Sequence, residues 1–205
     1  RVEFALPCVV TRGKASKVKL FGRNLLPPGK STLAKGRTID LDSVEVEITS
    51  PVDRLERIPL PLRPAQIAVD AFPYHYPGGH APVMIGVTDV PVVAGASDHR
   101  VPEQALEIAI PGEGSGQLTD GDERHWYAVK ARRGEVLWLD AFGTRIGSPV
   151  DLDLAVLDPS GRTELLTLSD SLENLGGYRF PTAHSDPAGR WVVPADGRYL
   201  ILVRN

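Results

Sequence analysis

The chain has 205 residues, a formal net charge of −3, 42% hydrophobic and 24% charged residues; this is a globular composition that excludes bulk disorder and holds one large domain or two small ones. Eighteen prolines and twenty glycines leave only two runs of fourteen residues free of both, Arg37–Ser50 and Arg162–Leu175, which excludes a helical bundle. No apolar run approaches the ~18 residues of a membrane span, and the single cysteine, Cys8, excludes an internal disulfide or a cysteine-based zinc site.

The predicted elements alternate with turns. Phe4–Gly13 opens the chain as an apolar stretch broken by Pro7. Ser16–Gly22 alternates Lys17 and Lys19 with Val18 and Leu20, the period of a strand with one dry face. Leu25–Gly29 is a turn by composition, and Val44–Thr49 alternates without a break. Pro59, Pro61 and Pro64 make residues 59–64 an extended edge or connection. Val90–Asp98, following the apolar Val83–Val87, reads as a linker of small residues. Beyond it, Trp126–Lys130, Val136–Phe142 and Leu152–Leu157 read as strands, and Asp158-Pro-Ser-Gly161 as a hairpin turn. Leu165–Leu175 is where one short helical turn is expected; Arg190–Val193 and Tyr199–Val203 close the chain as strands. Trp126, Trp138 and Trp191 are expected in the core of the second half. Many short strands between turn clusters predict an all-β chain of two tandem β-sandwich domains, residues 1–94 and 95–205. The start at Arg1 and the closing strand suggest a piece of a longer protein.

The two halves differ in charge. Residues 1–94 carry 12 basic and 9 acidic residues, and residues 95–205 carry 11 and 17. Between Glu3 and Asp40 there are eight basic residues and no acid. Lys14, Lys17 and Lys19 in this run are candidate contacts for a polyanion; the alternative is a solvated strand face that complements the acidic half. Nucleic acid is set aside, because Phe21 is the only ring between Phe4 and Phe72 for a base to stack on. Tyr74, His75, Tyr76 and His80 lie in one Pro/Gly-rich loop. They are candidate binding residues, with the rings stacking on sugars or anchoring a protein. A metal on the two histidines needs a third ligand.

Catalytic motifs fail on spacing. Pro28-Gly-Lys-Ser31 lacks the glycine of a phosphate loop, since Asn24 stands in its place. Ser115 lacks the glycine two before it that a nucleophile elbow needs. His184-Ser-Asp186 places triad residue types next to each other in sequence, where strand geometry sends neighbours to opposite faces. Asp151 and Asp153 share a strand face, and Arg145 or Arg162 is the expected counter-ion.

From Val101 to Asn205 the chain resembles the bacterial pre-peptidase C-terminal (PPC) domain. The marks are Pro102-Glu-Gln-Ala105, Gly116-Gln-Leu118, Gly121-Asp122 before Trp126-Tyr127, Arg133-Gly-Glu135, Arg145–Pro149 with Asp151, Leu157–Gly161, and Pro194–Tyr199 with Val203. Asp196-Gly-Arg-Tyr199 also resembles the tyrosine corner of β-sandwiches. The resemblance implies a jelly-roll-like sandwich, a non-catalytic appendage of exported bacterial enzymes and surface proteins. Some relatives bind collagen or other insoluble substrates and some bind calcium. Calcium is the one cofactor left open by it, with Asp98, Asp120, Asp122 and Glu123 as the carboxylates that would hold the ion; Arg124 and His125 oppose it, and the same residues read as a solvated acidic turn. More weakly, Arg12-Gly13 and Val18–Leu25 resemble an immunoglobulin-like domain of the IPT/TIG type.

The expected function is therefore a non-catalytic module of an exported bacterial protein, extracellular, surface-bound or periplasmic. It would dock other domains of its parent protein, or hold a polysaccharide or fibrous protein. The alternatives are a structural spacer and, more remotely, a hydrolase. An exposed aromatic patch would favour binding, and a uniformly polar surface the spacer.

Overall fold

The computed structural model describes residues 1–25, 30–32, 40–62, 68–95, 99–119 and 121–205. The chain is all-β; among the described residues, helix is confined to the short 3-10 turns Arg54–Glu56, Pro102–Gln104 and Thr144–Ile146. The strands gather into two compact units.

The first unit holds β1 (Val2–Leu6), β2 (Val9–Thr11), β3 (Ala15–Gly22), β4 (Lys30–Thr32), β5 (Asp40–Thr49), β6 (Ile58–Pro61), β7 (Ala68–Tyr74), β8 (Val83–Thr88) and β9 (Val92–Ala94). Two sheets, in the orders β1-β3-β5-β4 and β2-β8-β7-β6, pack as a sandwich. Pro7 separates β1, which pairs antiparallel with β3, from β2, which pairs parallel with β8 in the other sheet. The alternation read in Ser16–Gly22 is realised: Val18 and Leu20 are fully buried, while Lys17 and Lys19 point outward. With Val10, Ile48, Phe72 and Ile85 they form one core. Each fully buried aliphatic side chain of this kind contributes about 1.5–3 kcal/mol. At Gly22 a Cβ would collide with the Arg1 carbonyl oxygen, so the close approach of β1 requires glycine.

The rest of the chain forms β10 (Leu106–Glu107), β11 (Glu113–Ser115), β12 (Arg124–Ala131), β13 (Val136–Asp140), β14 (Asp153–Leu157), β15 (Glu164–Leu168), β16 (Asp170–Ser171), β17 (His184–Val192) and β18 (Gly197–Arg204). One strand of this set belongs to the first unit: β11 pairs in parallel with β9, and residues 113–119 cluster there. Val92–Ala94 is thus a strand and not linker, because its β-branched residues find a ladder partner that is distant in sequence.

In the second unit a five-stranded sheet, β10-β12-β18-β14-β15, faces the three-stranded sheet β13-β17-β16. Tyr127, Val129, Val156, Trp191, Tyr199 and Ile201 fill the space between them. On its other face the large sheet buries Trp126, Ala128, Ala155, Leu157, Leu200 and Leu202. Strands buried on both faces read as continuous apolar runs, as Tyr199-Leu-Ile-Leu does. The Tyr199 hydroxyl donates to the Ala195 carbonyl at 2.7 Å, the geometry of a tyrosine corner, and its ring meets Trp191 edge-on at 4.8 Å. The turn at Asp158–Gly161 closes as its composition predicts. The Gly161 amide donates to the Asp158 carbonyl at 2.9 Å. The Ser160 hydroxyl, with the amides of Thr163 and Arg162, holds the Asp158 carboxyl below the usual range.

The structure corrects three further expectations. Leu165–Leu175 contains no helical turn; it supplies the end strand β15, then β16, then a loop, because Leu166 and Leu168 pack inward at strand spacing. Asp153 is met by Arg204 at 3.7 Å, not by Arg145 or Arg162, since β14 lies beside β18. Trp138 is 68% exposed, whereas Trp126 and Trp191 are buried. In β13 the inward positions are Leu137 and Leu139, so the intervening tryptophan points outward.

Candidate functional site

The predicted calcium residues do not form a site among the described residues. Asp98 and Asp120 lie outside them. Asp122 is on the turn before β12, and Glu123 is buried. The Glu123 carboxylate accepts from the Arg100 guanidinium at 2.6 Å and meets His125 Nε2 at 3.0 Å. Of the four predicted carboxylates, Glu123 is thus already paired with a guanidinium. The His99 ring meets those of His125 at 4.2 Å and Tyr127 at 5.1 Å, tilted by 59° and 58°. Burial pushes the Tyr127 hydroxyl up to about 12. The arrangement is a buried polar plug under the start of β12. Among the described residues no group of three His, Cys, Asp or Glu side chains is placed to hold a metal ion.

The two predicted binding regions of the first unit also differ from their reading. Lys17 and Lys19 of β3 stand opposite Glu47 and Glu45 of β5, and Lys17 Nζ lies 3.6 Å from Glu45 Oε1. Lys19 rests 5.3 Å from the Phe21 ring centre. Arg12 meets Asp89 at 2.9 Å. Among the described residues of the basic run, Arg12 and Lys17 are therefore paired with carboxylates of their own unit. Of the three candidate lysines, Lys17 is the one in an ion pair among the described residues, and Lys14 is exposed before β3. Tyr74, at the end of β7, is half-buried on the core, and Tyr76, in the loop that follows, is buried. Burial, then the neighbouring Tyr76, raises the Tyr74 pKa. His75 and His80 are exposed, and the Gly79 amide donates to the Tyr76 carbonyl to close the turn. The Tyr76 ring faces inward and holds the loop, Tyr74 is partly covered, and the two histidines stay at the surface.

His184, Ser185 and Asp186 do not form a triad. Asp186 is fully buried, and its carboxylate accepts from the Thr144 amide at 2.7 Å, the Thr144 hydroxyl at 2.9 Å, and the Arg145 amide and Nε at 3.0 and 2.9 Å. Arg145 in turn bonds Asp140 and the Ala141 carbonyl and lies 4.1 Å over the Phe142 ring. This pins the Thr144–Ile146 turn to β17. The carboxylate is spent on structure, so nothing is left to orient a histidine.

The feature with the chemistry of a contact site lies between β16 and β17, in a segment whose leucine spacing predicts a helical turn. Leu172, Leu175 and Phe180 are 76%, 79% and 61% exposed, and Tyr178 is fully exposed. Asn174 and Thr182 brace the backbone of this loop, while Glu173 and Arg179 are exposed. Asn174 Nδ2 donates to the Gly177 carbonyl and its Oδ1 accepts from the Thr182 amide, both at 2.9 Å. The Leu175 amide donates to the Thr182 hydroxyl at 2.9 Å, and the Phe180 amide to the Gly176 carbonyl at 3.2 Å. Gly177 has φ +59°, and a Cβ at Gly176 would collide with the Phe180 carbonyl oxygen, so both glycines are required. The loop is thus internally braced and displays four apolar side chains to solvent. Its signal in the sequence is Asn174-Leu-Gly-Gly-Tyr-Arg-Phe180, where a Gly-Gly pair sits among apolar residues.

No helix of the described residues is long and apolar enough to cross a membrane. No family model, no curated protein and no solved structure matches the chain.

Proposed function

We propose that the chain is a non-catalytic binding module of an exported bacterial protein, and that the loop between Leu172 and Thr182 is its contact surface. The observation that carries this reading is the loop's display of four large side chains on a braced backbone. Asn174 and Thr182 bond the loop's own backbone, and Leu172, Leu175, Tyr178 and Phe180 face water beside the exposed Glu173 and Arg179. Ordering of the loop is completed on folding, so contact adds apolar burial without a further entropy cost for its backbone. A spacer gains nothing from four exposed apolar side chains on one loop. The PPC-like assignment of the second unit is supported by the tyrosine corner and the two-sheet architecture, and the IPT/TIG-like assignment of the first by its two-sheet sandwich. The partner class is a macromolecular surface, either polysaccharide, fibrous protein or a neighbouring domain of the parent protein.

The test is a pull-down on insoluble polysaccharides, collagen and anionic polymers, each with calcium and with EDTA, using the wild-type chain and a Tyr178→Ser/Phe180→Ser variant. The wild type is expected to bind one of these supports equally in calcium and EDTA, and the double variant to lose at least about tenfold in affinity through the loss of two buried rings. Equal retention of both proteins removes the loop from the contact, and no retention of the wild type on any support favours the spacer.

A further inference from the structure

Strand β13 lies at the edge of its sheet, and no other described strand pairs with its outer side. The ladder fixes which peptide groups face that edge. The Val193 amide donates to the Glu135 carbonyl at 2.9 Å and the Ala141 amide to the Pro187 carbonyl at 3.0 Å, so the odd-numbered residues turn their N–H and C=O toward β17. By the alternation of an antiparallel ladder, Val136, Trp138 and Asp140 turn theirs outward. Edge strands are ordinarily protected by lysine, proline, a bulge or an inward charge. Here Val136-Leu-Trp-Leu139 has none of these, and its register with β17 runs without a shift. The one acid, Asp140, is engaged by Arg145. Both faces of the strand are apolar and incompletely covered: Leu137 and Leu139 are half-buried against the core, Val136 is 53% exposed and Trp138 68%.

We propose that this edge is an interface between two copies of the chain, with β13 pairing antiparallel with β13 of the second copy about a two-fold axis at Trp138. The strand is complementary to itself in that register. Trp138 meets Trp138 of the second copy as a hydrogen-bonded pair, on the parity the ladder already sets. Leu137 meets Leu139 on the inner face and extends the core, while Val136 meets Asp140, whose carboxylate stays with Arg145. Every outward N–H and C=O of Val136, Trp138 and Asp140 then has a partner, and the two indoles cover each other on the outer face. A two-fold, self-complementary contact closes on itself and does not propagate. Because the paired strand is short, the contact is a reversible one. It is independent of whatever the Leu172–Thr182 loop binds.

Sedimentation equilibrium across a dilution series of the whole chain tests this. The wild type is expected to show a monomer–dimer equilibrium, and its tryptophan emission to shift to the red on dilution as Trp138 becomes hydrated, since Trp126 and Trp191 are buried in either state. Trp138→Lys places two like charges opposite each other and is expected to weaken dimerisation by about tenfold or more with little change in Tm. Val136→Glu, which sets a like charge opposite Asp140 of the second copy, serves if the first variant fails to fold. Tyr178→Lys, on the loop, is expected to dimerise as the wild type does. A wild type that stays monomeric at every concentration overturns the proposal. So does a dimer that either edge variant forms as readily as the wild type, or one that Tyr178→Lys alone dissociates.

Discussion

Asp186 shows how one buried charge is made tolerable. Burial raises its pKa, but the Arg145 amide and guanidinium and the amides of Thr144 and Gly143 together outweigh this and hold it below the usual carboxylate value. A carboxyl whose pKa is lower folded than unfolded adds stability that is complete above its unfolded value, about 3.9, and is lost as pH falls through the folded value. Asp186→Ala leaves Arg145 buried without its main partner and is expected to destabilise the second unit by about 3–5 kcal/mol. Acid unfolding followed by circular dichroism should show the wild type losing stability only below the ordinary carboxylate range, with that loss reduced in the variant. The same scale explains the tryptophans. Trp191 and Trp138 both lie in apolar runs, but parity along their strands sends the first inward and the second to solvent.

At the level of the element, strands with regular alternation are legible in the sequence and the loop is not. Val18 and Leu20 against Lys17 and Lys19 announce β3, because only a period of two gives one dry face. Leu165, Leu166, Leu168, Leu172 and Leu175 mimic helical spacing, yet the first three lie on β15 and the last two on the exposed loop. The sequence of this segment contains nothing that tells a covered leucine from an uncovered one. The loop's shape depends on Gly176, where any side chain would collide with the Phe180 carbonyl. Gly176→Ala is therefore expected to abolish retention in the pull-down while moving global unfolding by less than about 0.5 kcal/mol, because the loop contributes no core residue. Thermal melts alongside the binding assay check both halves of this expectation.

Across the whole molecule, part of the basic run of the first half is met by carboxylates of that same half. Lys17 and Lys19 face glutamates of the adjoining strand, and Arg12 meets Asp89. Pairs as exposed as Lys17 and Glu45 contribute little to stability. Their effect is to neutralise a face that, in sequence, looks available for a polyanion. Glu123 is occupied in the same way by Arg100 and His125. Melting curves in calcium and in EDTA are accordingly expected to coincide. A rise in Tm with calcium would show a site formed by other carboxylates, since a ligand that binds only the folded state stabilises it.

The all-β class, most strands of the two sandwiches, the Asp158–Gly161 turn and the tyrosine corner are all specified locally. Each is written in periodicity, turn chemistry or a short spacing, so neighbouring residues suffice to read it. The folded molecule alone settles which apolar residues stay outside, which charges find partners, and that residues 113–115 return to pair with Val92–Ala94. These depend on strands distant in the chain coming together. Glu45 neutralises Lys17, Tyr76 turns into a core and Trp138 is left on an open edge only once the sheets have assembled.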